Sequence, residues 1–275
     1  MRIDVDLVLV PVTVTDALNH TVTNLAQQDF KLFEDNKPQH IEYFSKEDGP
    51  VSVGLILDLS RSMTNKFDTE RRAVMAFFDN ANPQDDYFVV TFADRPHLIT
   101  SSTQSLDEIQ NSLATVTPDG NTALLDAIYL AVARMRSAQY KRRALLIISD
   151  GGDNHSRYGL HEIKSLVEEA DVQVYALGIF DSFFRTFEEF MGKRWLSSIT
   201  DVTGGHTVTA DNLSKVPALA AAISREMRNQ YILGYKPSKL DPDGRWRRLR
   251  VQVTSSKADM RLQTYFKKGY FAPKP

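Results

Sequence analysis

Hydrophobic and polar positions alternate almost from the start of the chain. Val8, Val10, Val12 and Val14 fall on one side of a two-residue period and Leu9, Pro11, Thr13 and Thr15 on the other, which predicts a half-buried strand over 5–15. Two short strands follow near Phe30 to Glu34 and Gln39 to Phe44. The link between them, Asp35-Asn36-Lys37-Pro38, has residue types that suit a tight turn, so the pair reads as a hairpin. From Val51 the pattern changes: short apolar runs at 51–58, 86–93, 143–149, 172–179 and 206–210 alternate with amphipathic stretches. That is the signature of a mostly parallel sheet with helices on both faces. Four helical faces are predicted: Val74, Phe77, Phe78 and Ala81; Leu124, Ile128, Ala131 and Met135; Ile163, Leu166, Val167 and Ala170; Leu219, Ile223 and Met227. Pro96 to Thr103 is a weaker candidate for a strand running against the others. After Gln230 the β pattern returns at Tyr231 to Tyr235, at Leu249, Val251 and Val253, and at Leu262, Thr264 and Phe266, with the turn Asp241-Pro242-Asp243-Gly244 between the first two.

This patterning divides the chain into 1–49, 50–230 and 231–275. Each flank is shorter than 50 residues and holds only a few strands, too little to bury a stable core alone. The flanks are therefore inferred to pair into a β-sandwich, with the α/β domain at 50–230 inserted between its halves. Neither an internal repeat nor a low-complexity stretch interrupts the chain.

Composition narrows the function classes more than the fold. Thirty-three basic residues against 35 acidic give a net charge of -2. With no block of like charge, nucleic acid is not expected as a partner. The absence of cysteine excludes disulfides, thiolate zinc sites and cysteine nucleophiles. No apolar run reaches the roughly 20 residues of a membrane-spanning helix, and the opening Met1-Arg2-Ile3-Asp4 lacks the apolar stretch of a signal peptide. Because strand-like alternation starts almost immediately, any export signal is expected upstream of this start.

The candidate chemistry lies in three loops. The run Gly54-Leu55-Ile56-Leu57-Asp58-Leu59-Ser60-Arg61-Ser62 drives a buried strand into an Asp-x-Ser-x-Ser loop, at the sheet edge where open α/β folds bind ligands. A second apolar strand, Ala144 to Ile148, ends in Ser149-Asp150-Gly151-Gly152-Asp153. Between them, Asp119-Gly120-Asn121-Thr122 precedes the helix carrying Ala123 to Arg136. Two carboxylates and three hydroxyls, from Asp58, Asp150, Ser60, Ser62 and Thr122, are hard oxygen donors that suit Mg²⁺, Mn²⁺ or Ca²⁺ and suit Zn²⁺ or Cu²⁺ poorly. Neutral hydroxyls leave the ion a net positive field and an open position for an external carboxylate.

The three segments in this order resemble the metal-ion-dependent adhesion site (MIDAS) of von Willebrand factor type A (VWA) domains, over about residues 50–230. The resemblance implies a Rossmann-like VWA fold, with Ser60, Ser62 and Thr122 as hydroxyl ligands and Asp58 and Asp150 as carboxylates acting directly or through water. It also implies a non-enzymatic adhesion module that binds an Asp or Glu carboxylate of a protein partner through Mg²⁺, Mn²⁺ or Ca²⁺. The flanks, with Asp29-Phe30-Lys31-Leu32-Phe33-Glu34-Asp35, Tyr231 to Pro237 and Lys268 to Pro273, are similar to the bacterial VWFA-related family known from acidobacteria. Its members usually look exported, which implies an extracytoplasmic location.

Plainer roles exist for the same residues. Asp58, Ser60 and Ser62 can form turns and cap a following helix, and Thr122 is a credible N-cap. Gly151 and Gly152 permit a tight turn or the approach of a ligand to backbone. Asp153 and His155 suggest a hydrolase that activates water with the same ion, but no His-Glu-x-x-His, nucleophile elbow or phosphate loop accompanies them. A structural domain with a vestigial metal site is the third alternative. Phe180, Phe183, Phe184, Phe187, Phe190 and Trp195 form an aromatic stretch that is either core or, leaving a strand end near the metal rim, an apolar contact patch.

Overall fold

The structure, a computed structural model, describes residues 7–47, 49–180, 187–237, 242–254 and 262–273. In chain order its strands are β1 (Val8–Thr15), β2 (Phe30–Glu34), β3 (Lys37–Gln39), β4 (Tyr43–Glu47), β5 (Ser52–Asp58), β6 (Asp86–Phe92), β7 (Pro96–Thr103), β8 (Arg143–Ser149), β9 (Gln173–Ile179), β10 (Thr207–Ala210), β11 (Gln230–Tyr235), β12 (Trp246–Val253), β13 (Gln263–Phe266) and β14 (Gly269–Phe271). The helices are α1 (Phe67–Phe78), α2 (Leu106–Ala114), α3 (Leu124–Met135), α4 (Leu160–Glu169), α5 (Phe187–Thr203) and α6 (Val216–Arg228). The chain divides into one unit of Met1–Gly49 with Glu226–Pro275 and another of Pro50–Arg225.

The first unit contains two four-stranded sheets, ordered β13-β1-β11-β4 and β14-β12-β2-β3, with antiparallel pairings throughout. Alternation explains their shared core. Val10, Val12 and Val14 of β1 and Tyr231, Leu233 and Tyr235 of β11 pack with Phe30 and Leu32 of β2 and Leu249 and Val251 of β12. Asp35 and Asn36 take positive φ, 46° and 65°, in a two-residue turn that registers Glu34 opposite Lys37. The strand expected over 39–44 is instead split. Its first residues stay with β2, Ile41 enters the shared core, and the chain resumes as β4 beside β11. One continuous strand cannot pair in both sheets, and burying Ile41 drives the change of sheet. Two phenols close the core: Tyr235 and Tyr270 donate to the same Oε2 of buried Glu34, at 2.5 and 2.8 Å.

The second unit is a six-stranded sheet, β10-β9-β8-β5-β6-β7, parallel except where β7 runs against β6. Ser52–Asp58 and Asp86–Phe92 are buried at every position, as strands covered on both faces must be. Ile56, Val90, Ile147 and Ala176 form one core with Leu124, Ile128, Ile163 and Leu196 from α3, α4 and α5. The opposite alternating set, including Leu55, Val89, Leu146 and Ile148, is also buried, and α1 meets that side through Phe78 against Tyr87, ring centroids 4.6 Å apart. The order of the strands places β5 and β8, first and fourth in this unit's sequence, side by side. Such a reversal of strand order is where open α/β sheets place their ligands.

Three helical details depart from expectation. The stretch read only as aromatic continues as the helix α5, Phe187–Thr203. α1 ends at Phe78, and its buried face is Ala73, Val74 and Phe77 with Thr69 and Glu70, while Ala81 lies beyond it. α2 was not evident in the pattern because its buried stripe is only Ile109 and Leu113. Among the described residues, no helix is long and apolar enough to cross a membrane.

Candidate metal centre

Parallel pairing sets the register of the site. Leu57 lies opposite Ile148, so the next residues, Asp58 and Ser149, meet at the carboxyl edge of the sheet. The Ser149 hydroxyl donates to Asp58 Oδ2 at 2.6 Å, while Asp58 Oδ1 accepts from the backbone of Ser60 at 2.9 Å. The Ser60 and Ser62 hydroxyl oxygens lie 3.1 Å apart. Neither serine is consumed as a cap: Ser60 precedes the short turn Arg61–Met63 without a side-chain capping bond, and the N-cap of α1 is Lys66. Asp58 and Ser60 are buried, whereas Ser62 is exposed, so the cluster reaches solvent on the Ser62 side.

Asp150 follows β8 and is buried beside Asp58. The Lys66 ammonium sits 3.3 Å from Asp150 Oδ2 and equally far from the Ile179 carbonyl oxygen. Gly151, at φ 79°, is pressed against Gly192 of α5, where a Cβ on Gly192 would stand 2.2 Å from the Gly151 oxygen. Close backbone approach is therefore needed here, but by a helix packed on the loop rather than by a ligand.

The loop carrying Thr122 is tied to both others through backbone. Asp119 N donates to Leu59 O at 2.8 Å and Arg61 N to Gly120 O at 3.1 Å. Asn154 and His155 donate to Thr122 O at 3.0 and 3.1 Å, and Thr122 N donates to Asn154 Oδ1 at 3.0 Å. The N-cap of α3 is Ala123, not Thr122. First-turn amides of α3 are met from the loop after Asp150: Asp153 accepts from Leu125 N at 2.9 Å and Ser156 Oγ from Asp126 N at 3.1 Å. Asp153 also accepts from the Ser156 backbone and hydroxyl, which gives it a structural task, and His155 is exposed.

The structure thus joins Asp58, Ser60 and Ser62 in one bonded cluster, sets Asp150 close enough to act on Asp58 electrostatically, and brings Thr122 in by its backbone. Sequence reasoning missed two further charges, both from the start of α1. Glu70 is buried, accepts from Asp58 N at 3.1 Å through Oε1, and leaves Oε2 with no hydrogen-bond partner among the described residues. Its spacing from Ala73, Val74 and Phe77 would have revealed it, since a carboxylate on an apolar stripe demands a reason. Lys66 carries no comparable signal.

Burial, then the charge of Asp150, pushes the Asp58 carboxyl up to about 7. Burial first, and then Asp58 and Asp150, hold Glu70 well above the usual carboxylate range. Such crowding disfavours ionisation of Asp58 and Glu70 unless a cation enters. Among the described residues there is no group of three or more His, Cys, Asp or Glu arranged to hold a metal, so an ion here would depend on hydroxyls. Hard oxygens around an excess of negative charge fit a hard dication.

A sequence profile for the von Willebrand factor type A domain matches residues 53–152, the stretch from β5 through the Asp150 loop. This chain carries a von Willebrand factor type A domain. Over 153 residues it is 24% identical to human inter-alpha-trypsin inhibitor heavy chain H4, a match covering 50% of this chain and 16% of that protein; the chain thus corresponds to about a sixth of that relative's length. Among solved structures it is similar to a von Willebrand factor type A protein from Catenulispora acidiphila, with a TM-score of 0.56 and 10% identity over 97% of this chain and 72% of that one. It is also similar to proximal thread matrix protein 1 of the mussel byssus with a zinc-occupied MIDAS motif, at TM-score 0.56 and 19% identity, over 71% of this chain and 50% of that one. At these identities the structural likenesses establish the fold.

VWA domains typically mediate protein–protein interaction. In this VWA domain the aromatic stretch after β9 divides. Phe180 and Trp195 pack against the core, Phe190 is exposed, and the rest of the expected contact patch, Phe183, Phe184 and the side chain of Phe187, lies outside what the structure describes.

Proposed function

We propose that this chain is a metal-dependent protein-binding module. Asp58, Ser60, Ser62, Thr122 and Asp150 would hold a divalent cation, Mg²⁺ or its substitutes Mn²⁺ and Ca²⁺, that grips an Asp or Glu carboxylate of a partner protein. The observation that carries this reading is the meeting of the three loops at the carboxyl ends of β5 and β8, with two buried carboxylates and with hydroxyls that no helix cap consumes. The bound ion would supply a concentrated positive field for an external carboxylate. Asp58 and Asp150 provide the charge that retains it, and the hydroxyls complete the donor set without quenching that field. Exposed Ser62 marks the side from which a partner approaches. A catalytic role is not proposed, because Asp153 is engaged in capping. The similarity of the flanks to an exported bacterial family, and of the fold to a thread matrix protein, support an extracytoplasmic location.

Calorimetry of the full chain with Mg²⁺ and Mn²⁺ tests the proposal. One binding event is expected, lost in Asp58→Ala and weakened in Thr122→Ala; identical titrations for wild type and Asp58→Ala would overturn it. Partner capture that persists unchanged in excess chelator would instead assign the domain a structural role.

A further inference from the structure

The metal reading does not account for Lys66. Its side chain is 12% exposed, and its ammonium lies 3.3 Å from Asp150 Oδ2, one of the proposed ligands, and 3.3 Å from the carbonyl of Ile179 at the end of β9. Asp150 at this corner also interacts with Asp58 from β5 and Glu70 from α1, and Lys66 sets a cationic charge directly on it. It is also tethered to the same loop as Ser60 and Ser62. A fixed positive charge on a ligand carboxylate opposes a dication in two ways: it occupies lone pairs that would face the ion, and it repels the ion directly. The geometry also provides an exit. An ammonium carries three donors, so Lys66 can leave Asp150 while keeping the Ile179 carbonyl and turning its remaining donors to the solvent it already touches.

We infer, resting on the metal-binding reading above, that Lys66 is a built-in counter-cation: it holds Asp150 in the metal-free domain, and the dication must displace it to bind. Metal affinity is thereby set low enough for occupancy to follow the surrounding ion concentration. A partner that delivers its carboxylate to the ion adds negative charge to the site and so favours the displaced state.

The test is calorimetric titration of the full chain with Mg²⁺ for wild type, Lys66→Met and Lys66→Arg. Methionine keeps most of the apolar stem and removes the charge, so affinity should rise about ten- to a hundredfold, whereas arginine should leave it within about threefold of wild type. An independent measurement uses the wild-type chain alone. Acetylation of lysines followed by mass spectrometry should show Lys66 reacting several-fold faster with Mg²⁺ than with chelator, because the ion releases it. Equal affinities in wild type and Lys66→Met, or weaker binding by Lys66→Met, would overturn the inference while leaving the metal centre standing, as would acetylation of Lys66 that is indifferent to Mg²⁺. Absence of metal binding in all three proteins would overturn both.

Discussion

Replacing Asp58 by asparagine should stabilise the metal-free protein while abolishing its response to metal. In the folded chain the Asp58 carboxyl is raised from 3.8 to about 7, by burial and by Asp150; in the unfolded chain it ionises near the ordinary ~3.9. Between these values the folded state keeps a proton that the unfolded state has lost. Stability from this group is therefore greatest below about pH 4, falls as pH rises through the window to about 7, and is flat above it. The full penalty for the ionised form is on the order of 4 kcal/mol. An asparagine carries none of it. Its Oδ1 can still accept from Ser60 N, but its amide must donate toward Ser149, whose hydroxyl now donates to Asp58 and accepts from Gly151 N. Allowing about 1–2 kcal/mol for that rearrangement, Asp58→Asn should be more stable than wild type by roughly 2–3 kcal/mol in chelator at about pH 8, and by less at about pH 5. Saturating Mg²⁺ should reverse the order, since a ligand bound only by the folded state stabilises only the protein that binds it. Urea unfolding followed by circular dichroism at both pH values, with chelator and with Mg²⁺, measures all of this. An asparagine variant less stable than wild type in chelator at about pH 8, or one stabilised by Mg²⁺ as much as wild type, would refute the reasoning.

Gly192→Ala should destabilise the domain by about 1–3 kcal/mol despite the better helix propensity of alanine, because its Cβ would collide with the Gly151 carbonyl; thermal unfolding reports the loss, and metal titration should show weaker binding as the Asp150 loop shifts. Asp153→Ala leaves Leu125 N and the Ser156 hydroxyl unmet and should cost about 1–2 kcal/mol in urea unfolding. Tyr235→Phe removes one of two phenols on buried Glu34 and should cost about 1–3 kcal/mol; because Glu34 and Tyr270 lie in the same unit as Tyr235, Mg²⁺ affinity should be unchanged.

The doubly wound sheet was legible because each buried strand is a nearly unbroken apolar run and α1, α3, α4 and α6 each show a stripe, whereas α2 and α5 show none that reads as helical. Even Pro96 to Thr103, with weak periodicity, forms the predicted antiparallel edge, since an edge strand with one open face needs little patterning. What stayed hidden involves choices between partners. Alternation over 39–44 is equally compatible with one strand or with two in different sheets, and only burial of Ile41 decides. The same blindness applies around the candidate site. Asp58, Ser60 and Ser62 announce themselves by spacing within one loop, whereas Glu70 is marked only as a carboxylate on the buried stripe of α1 and Lys66, its N-cap, by nothing local; what each of them meets emerges only in the folded domain. The glycine after Asp150 was recognised as permitting close approach, but that Gly192 is what approaches is a long-range fact with no local trace.

Crystals of the full chain grown with Mn²⁺, with anomalous diffraction recorded at the manganese edge, test the central claim most directly. One strong anomalous peak is predicted within about 2.0–2.3 Å of the Ser60 and Ser62 hydroxyls, with Thr122 completing the donors, Asp58 and Asp150 within direct or one-water reach, and the Lys66 ammonium moved off Asp150. No peak at this position, or a peak coordinated elsewhere with Lys66 still seated on Asp150, would contradict it.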